Sequence, residues 1–127
     1  MHKLISAAPT FAVADVGQTI LWYRDQLGFT AYPFPETPPH VFAIVSRDRV
    51  EIMFQRLPEY EKPDLYSRRK GGVWDAYIRM EGVREFYESI KSKVDIRLPL
   101  RKQPYGDWEF EVKDPNGYIV VFSELID

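Results

Sequence analysis

The order of predicted elements repeats once along this chain, and that repeat constrains the fold more than any other feature. Each half begins with a strand, continues with an amphipathic helix and ends with three further strands. In the first half the strand covers 7–14, and the apolar residues Val16, Ile20, Tyr23 and Leu27 follow at helical spacing. Two modules with the same element order are therefore expected.

Local signals mark the limits of the first module's elements. Asp15 stands where an N-cap carboxylate accepts from the free amides of the first helical turn. Gly28 suits the left-handed position that ends a helix. The three strands that follow are predicted at 29–32, 40–46 and 50–55, with a tight turn at 47–49.

The second module repeats the pattern after a polar linker. Its first strand is predicted at 73–80, and Val83, Phe86, Tyr87 and Ile90 form the apolar stripe of its helix. The remaining strands are predicted at 95–98, 107–113 and 118–124, the last two joined by an Asp-Pro-Asn-Gly turn at 114–117. The interpretation is a single domain, 1–127, with modules at about 4–56 and 72–127 and a linker at 57–71 containing one short helical turn.

Composition excludes several classes of function. The chain has 127 residues, 45% of them hydrophobic, which is enough for one domain with a real core. With 17 basic and 19 acidic residues it has no charge excess that would attract a nucleic acid. It has no cysteine, so disulfides, thiolate nucleophiles and Cys-based zinc sites are excluded. No signal core or membrane-length apolar run is present, and a cytoplasmic protein without a membrane partner is expected.

Strand alternation suggests a binding surface opposite the helices. In the strands at 50–55 and 73–80, one set of alternating residues is apolar and suited to pack on a helix. The other set mixes polar and apolar side chains, which is typical of a ligand-cavity wall. This second set contains Glu51, Met53, Asp75 and Tyr77.

Motifs at both ends of the chain resemble one superfamily. The first strand is followed by Asp15 and then by Trp-Tyr-Arg-Asp-Gln-Leu-Gly-Phe at 22–29. Near the end, Gln-Pro-Tyr-Gly-Asp-Trp-Glu-Phe at 103–110 precedes Asp-Pro-Asn-Gly-Tyr at 114–118. Together they resemble the vicinal oxygen chelate superfamily, which includes glyoxalase I, extradiol dioxygenases and the bleomycin-resistance proteins, and most of all its bleomycin-resistance branch.

The resemblance implies an α+β fold. Two βαβββ modules form a cupped, mostly antiparallel eight-stranded sheet with the helices on the outside, commonly completed by a second chain, so a homodimer is expected. In metal-dependent members four side chains in the cup bind the metal, and the matching positions here are Ala8, Glu51, Asp75 and Val121. Two of these lack a donor atom. Since a catalytic divalent site normally needs about three protein ligands, no metal and no cofactor are expected.

The leading interpretation is a metal-free protein that binds and sequesters a small molecule. If Glu51 and Asp75 point into the cup, their charges need partners. Either Arg79 pairs with one of them, or a planar, cationic ligand supplies the charge. Aromatic residues at the cup and its lip serve either core packing or ligand stacking. The predicted ligand-binding residues are Glu51, Met53, Asp75, Tyr77, Tyr105, Trp108 and Phe110.

Two other functions stay open from the sequence. One is a metal-dependent lyase, isomerase or dioxygenase of the glyoxalase type, with a rearranged site that uses Glu51, Asp75 and His40. The other is a structural or regulatory module whose cup is filled by its own side chains. No catalytic residue is assigned, because the sequence offers no nucleophile with an adjacent base.

Overall fold

The computed structural model describes residues 1–126, so residue 127, the last of the predicted second module, lies outside the described residues. The chain divides into two compact units, Met1–Tyr60 and a second that begins at Glu61. Within the described residues each unit contains one α-helix and a four-stranded sheet. The predicted α+β class and the two βαβββ modules are confirmed, with the eight strands arranged as two four-stranded sheets.

The first unit has the predicted element order. Its sheet is ordered β1-β4-β3-β2, with β1 parallel to β4 and the other neighbours antiparallel. The bounds are β1 Thr10–Val13, α1 Val16–Leu27, β2 Thr30–Phe34, β3 Phe42–Arg47 and β4 Val50–Arg56.

Both predicted caps define α1. The Asp15 carboxylate accepts a hydrogen bond of 3.0 Å from the amide of Gln18, and Gly28 adopts φ 76° at the other end. Between them the helix packs on the sheet, where the ring of Tyr23 lies 5.0 Å from that of Phe54, centroid to centroid. The core of this unit therefore lies between α1 and the sheet.

The second unit repeats this arrangement, with sheet order β5-β8-β7-β6. Strand β5 is parallel to β8, and the other neighbours are antiparallel. The polar segment before β5 contains a short 3₁₀ turn, Leu65–Ser67, as the sequence indicates. The bounds are β5 Ala76–Arg79, α2 Val83–Ile90, β6 Asp95–Lys102, β7 Asp107–Lys113 and β8 Ile119–Leu125.

Helix α2 packs on β7 and β8 through aromatic rings. Phe86 lies 4.9 Å from Phe122, and Tyr87 lies 5.0 Å from Phe110, measured between ring centroids. The helix begins where the Glu124 carboxylate accepts from the amides of Gly82 and Val83, a cap supplied from β8 that the local sequence does not indicate.

Each sheet thus has two different faces. We call the side that contacts the helix the helix-packed face and the opposite side the far face, and successive residues of a strand alternate between them.

None of the helices formed by residues 1–126 has the length and apolar character needed to cross a membrane.

Candidate functional site

Three carboxylates follow one another along the far face of β7. Asp107, Glu109 and Glu111 occupy every second position, while Phe110 between them points to α2. Each of the three acidic residues is only 3% exposed. Buried carboxylates require hydrogen-bond donors or counter-charges, and we refer to these three as the carboxylate row.

Two tyrosines and one arginine satisfy the first two carboxylates. The hydroxyl of Tyr77 lies 2.7 Å from both Asp107 Oδ2 and Glu109 Oε2, so one phenol proton serves two acceptors. The hydroxyl of Tyr105 donates to Glu109 Oε1. Arg79 Nη1 donates to Asp107 Oδ2 over 2.8 Å. The far face of the second unit therefore carries a connected network of phenols and carboxylates.

Glu111, the third member of the row, is bound by the segment that precedes β5. It accepts hydrogen bonds from the hydroxyl of Tyr66, from Trp74 Nε1 at 3.0 Å and from the amide of Gly72 at 3.3 Å. Trp74 also connects Glu111 to the rest of the network, because the Trp74 ring packs against the Tyr77 ring at 4.8 Å between centroids.

The phenols of this network are held in their protonated, donating form. Burial, more than any other cause, raises the pKa of Tyr77 and Tyr66 well above the usual range, and the neighbouring carboxylates add to the effect. Burial and the hydrogen bond to Glu109 raise the pKa of Tyr105 to about 12. Each hydroxyl is therefore a donor throughout the physiological pH range.

The network carries excess negative charge. Among residues 1–126, Arg79 is the one cation within ion-pair distance of the carboxylate row. Its side chain is 66% exposed, whereas the Asp107 side chain is 5% exposed. The guanidinium carbon also lies 5.5 Å from the centre of the Tyr77 ring. The three carboxylates thus share a single counter-charge, a solvent-accessible guanidinium that stacks on an aromatic ring.

The pairing expected for Arg79 is not the one observed. The sequence suggested Asp75 or Glu51 as its partner, but Arg79 binds Asp107. Asp75 pairs instead with Lys62 at 2.9 Å and accepts from the amide of Ile119 at 2.8 Å. The difference arises because the β5–β8–β7 order places β7 within reach of the Arg79 side chain across β8, which spacing within β5 cannot reveal.

The structure places the sequence-predicted site residues on three surfaces. Tyr77 and Tyr105 meet at Glu109 on the far face of the second sheet, where Asp75 also lies at the start of β5. Glu51 and Met53 lie on the far face of the first sheet, pointing away from α1. Trp108 and Phe110 lie on the helix-packed face of the second sheet.

Trp108 and Phe110 have other partners on that helix-packed face. Phe110 is fully buried among the rings of Phe86, Tyr87 and Phe122, and the guanidinium of Arg84 lies 4.4 Å above the Trp108 ring. The alternation itself carried this signal. The apolar residues of β7 alternate with its acidic residues, and the apolar set is the one suited to pack on a helix.

The far face of the first sheet has a different character. Tyr32 and Phe34 on β2 are well exposed, Phe34 to 66%, and Glu51 on β4 is also exposed. Ile44 and Met53 are half-buried between them. The exposed side chains of this face include two aromatic rings, and Glu51 adds a charge close to the turn between β3 and β4.

The residues at the metal-ligand positions of the superfamily do not fit a metal. Ala8 and Val121 have no donor atom, and Asp75 is already bound to Lys62. His40 lies beside α1, where its Nδ1 bonds to the carbonyl of Pro35, and it lines a groove of about 600 Å³ together with Arg56. Within residues 1–126 no group of three or more His, Cys, Asp or Glu side chains is arranged to bind a metal ion.

Sequence and structure comparisons agree with this architecture. A family model described as the Glyoxalase/Bleomycin resistance protein/Dioxygenase superfamily matches residues 6–122. No curated protein sequence matches the chain.

Several solved structures are similar over nearly the whole chain. TioX from Micromonospora sp. ML1 is 19% identical, with 95% of this chain and 100% of that chain covered and a TM-score of 0.71. The bleomycin-binding protein of Streptomyces verticillus, solved with copper(II)-bleomycin, is 23% identical, with 96% and 97% covered and a TM-score of 0.69. A glyoxalase-related enzyme from Clostridium phytofermentans is 14% identical, with 98% of both chains covered and a TM-score of 0.76.

Proposed function

Because the chain belongs to the glyoxalase/bleomycin resistance protein/dioxygenase superfamily, we propose that it binds and sequesters a small, planar, cationic molecule without using a metal. The observation that carries this proposal is the carboxylate row on the far face of the second sheet. Asp107 and Glu109 are buried and accept hydrogen bonds from the phenols of Tyr77 and Tyr105, and a single exposed guanidinium, that of Arg79, pairs with Asp107.

The chemistry of this face suits a planar cation. A ligand with an amidinium, guanidinium or protonated ring nitrogen would supply the charge that the row lacks, and its flat body would stack on the Tyr77 ring as Arg79 does. Desolvated charge pairs of this kind contribute strongly to specificity. Glu51 and Met53 on the first sheet stay predicted ligand contacts, as does Asp75.

The absence of a fitting donor set supports direct binding rather than metal-dependent chemistry. The lysine at Asp75 neutralises one of the two carboxylates at the ligand positions. The bleomycin-binding protein of S. verticillus offers a parallel, since that protein was solved with its small molecule bound as a complex with copper(II).

A titration tests the proposal. Proflavine, a planar cation, would be titrated calorimetrically into the protein in buffer freed of metal with a chelating resin, with the neutral analogue acridone as the ligand control. We expect proflavine to bind and acridone to bind at least about 10-fold more weakly, because acridone cannot compensate the buried carboxylates.

Two variants locate the interaction. Glu109→Gln keeps the shape of the side chain and removes its charge, so proflavine binding is expected to weaken at least about 10-fold. Glu88→Gln, which changes an exposed carboxylate on α2, is the matched control and should bind like the unmodified protein. Equal binding of proflavine and acridone, or equal affinities of the two variants, would contradict the proposal.

A second candidate function follows from how completely the network is satisfied. Among residues 1–126 no buried side-chain nitrogen or oxygen lacks a hydrogen-bond partner. This favours a structural or regulatory module whose far face is occupied by its own side chains. Trp74 discriminates the two functions, because it contacts Glu111 and Tyr77. Its fluorescence should change with ligand if the face binds one, and stay constant across a broad screen if it does not.

We also expect a homodimer in solution. Each four-stranded sheet has two edge strands, and exposed edges commonly pair or become covered. On edge strand β2, Tyr32 and Phe34 expose apolar surface. Light scattering coupled to gel filtration should give a dimer mass, and Phe34→Ala should shift the protein toward monomer.

A further inference from the structure

The segment 64–74 crosses the second sheet before β5, and we call it the strap. It is irregular apart from the 3₁₀ turn at Leu65–Ser67. Its attachments to the sheet fall at its two ends. In the middle, Arg68, Arg69 and Lys70 are exposed, and no ion-pair partner lies near them among residues 1–126.

One carboxylate holds the strap near both of its ends. Glu111 accepts from Tyr66, Gly72 and Trp74, three donors spread over nine consecutive residues. Hydrogen bonds to a charged acceptor are roughly twice as strong as those between neutral groups. A single buried side chain therefore fixes most of the strap.

The N-terminal end is held by Arg97 of β6. Its guanidinium lies 4.3 Å from the centre of the Tyr66 ring and 3.6 Å from the Asp64 carboxylate. The β6–β7 register shifts between Ile96 and Leu98. Arg97 is the extra residue of this bulge, and a bulge changes the direction in which such a side chain points. This explains how Arg97 reaches the strap.

Close packing adds to these bonds. Gly71 is buried with φ +83°, and a Cβ atom there would lie 2.7 Å from Leu98 Cδ1. Only glycine adopts this conformation without strain. The strap is thus seated tightly on the sheet beside Glu111.

We propose that the strap is a latched lid, with Glu111 as the latch, and that its opening controls access to Asp107 and Glu109. The link between the two is Trp74, whose ring packs against Tyr77, the phenol that lies between both carboxylates. Displacing the strap removes that ring from Tyr77 and uncovers the row from its Glu111 end. The latch stands independently of ligand binding, whereas the gating of access rests on the proposed function.

Limited trypsin digestion tests the latch. Arg68, Arg69 and Lys70 are exposed trypsin sites within the strap, and cleavage of a folded protein follows the population of locally opened states. Glu111→Gln keeps the side-chain shape but removes the charge that three donors share. We expect cleavage after 68–70, identified by fragment mass, to become at least about 10-fold faster than in the unmodified protein.

Two further variants keep this test decisive. Gly71→Ala strains the strap without changing any charge and should also accelerate cleavage at 68–70, even if Glu111→Gln folds poorly. Glu88→Gln is the matched control on α2 and should be cleaved like the unmodified protein. Cleavage at 68–70 in a folded Glu111→Gln protein, or in Gly71→Ala, that is no faster than in the control overturns the latch.

Stopped-flow binding of proflavine tests the gating. If the strap is a lid, the association rate rises in Glu111→Gln and in Gly71→Ala in step with the faster cleavage. Faster cleavage with an unchanged association rate overturns the gating. Faster cleavage in a protein that binds no proflavine in any form contradicts the proposed function and leaves the latch supported.

Discussion

The two units share one topology and have opposite far faces. In the first, the far face is exposed and apolar, with Tyr32 and Phe34 open to solvent and Glu51 exposed on its central strand. In the second, the corresponding surface is a buried polar network built around Asp107 and Glu109. The helix-packed faces, by contrast, are both conventional aromatic cores.

The repeated fold thus fixes the core of each unit and leaves the far face free to diverge. A helix-packed face must exclude water in both units, so both keep aromatic rings there. Nothing equivalent constrains the far face. One unit exposes its far face, and the other fills it with charge that its own phenols and one arginine satisfy. The second far face is accordingly where we assign ligand recognition.

The largest expected effect compares one glutamate on each far face. Glu109→Ala removes the acceptor of Tyr105 and one of the two acceptors of Tyr77, so we expect a loss of about 2 kcal/mol in the free energy of unfolding of the second unit. Glu51→Ala removes an exposed side chain and should change stability by less than about 0.5 kcal/mol. Denaturant unfolding followed by tryptophan fluorescence measures both, because Trp22 reports on the first unit and Trp74 and Trp108 report on the second. Similar losses from the two substitutions would remove the distinction between the faces.

An intermediate effect comes from the counter-charge. Arg79→Met leaves Asp107 without its ion pair, and because the arginine is largely exposed we expect a loss of only about 1 kcal/mol in unfolding free energy. Removing the guanidinium also frees the position that the positive charge of the ligand would occupy. Proflavine should therefore bind roughly 5-fold more tightly. Lower stability together with tighter binding would distinguish displacement of Arg79 from a general loss of structure. Weaker proflavine binding by Arg79→Met would count against a displaceable guanidinium.

The smallest expected effect is a pH dependence of folding stability that arises from Tyr105 in the second unit. The pKa of Tyr105 is about 12 in the folded protein, above the value of about 10 for a free tyrosine. Its contribution to stability is complete below pH 10 and is lost as pH rises toward 12, because the unfolded chain releases the phenol proton first. Unfolding followed by circular dichroism at pH values between 10 and 12 should show that Tyr105→Phe loses less stability over this range than the unmodified protein. An identical loss in both proteins would show that this phenol is not linked to folding.

Local signals in the sequence predicted the framework well. The Asp15 cap, the Gly28 stop and the turn at 114–117 are all confirmed, the last with Gly117 at φ 93° and its amide bonded to the carbonyl of Asp114. Each depends on residues within a few positions of one another. Strand β7, predicted at 107–113, has these bounds in the structure.

The candidate site was harder to predict because its contacts join residues far apart in the chain. Tyr66 and Glu111 are 45 positions apart, and Arg79 and Asp107 are 28 apart. The order of the strands and the position of the segment before β5 bring these residues together, and neither can be read from local spacing. The acidic residues of β7 were nevertheless visible as an alternating pattern. An acidic set on a strand is usually solvated, so the alternation by itself does not indicate that these three carboxylates are buried.

The most direct test of the central claim is the affinity of proflavine for Glu109→Gln and Glu51→Gln, measured side by side by calorimetry in metal-free buffer. We expect the unmodified protein to bind proflavine without metal, Glu109→Gln to weaken binding at least about 10-fold, and Glu51→Gln to weaken it much less. Binding that requires added metal, or a larger loss in Glu51→Gln than in Glu109→Gln, would contradict the assignment of ligand recognition to the second far face.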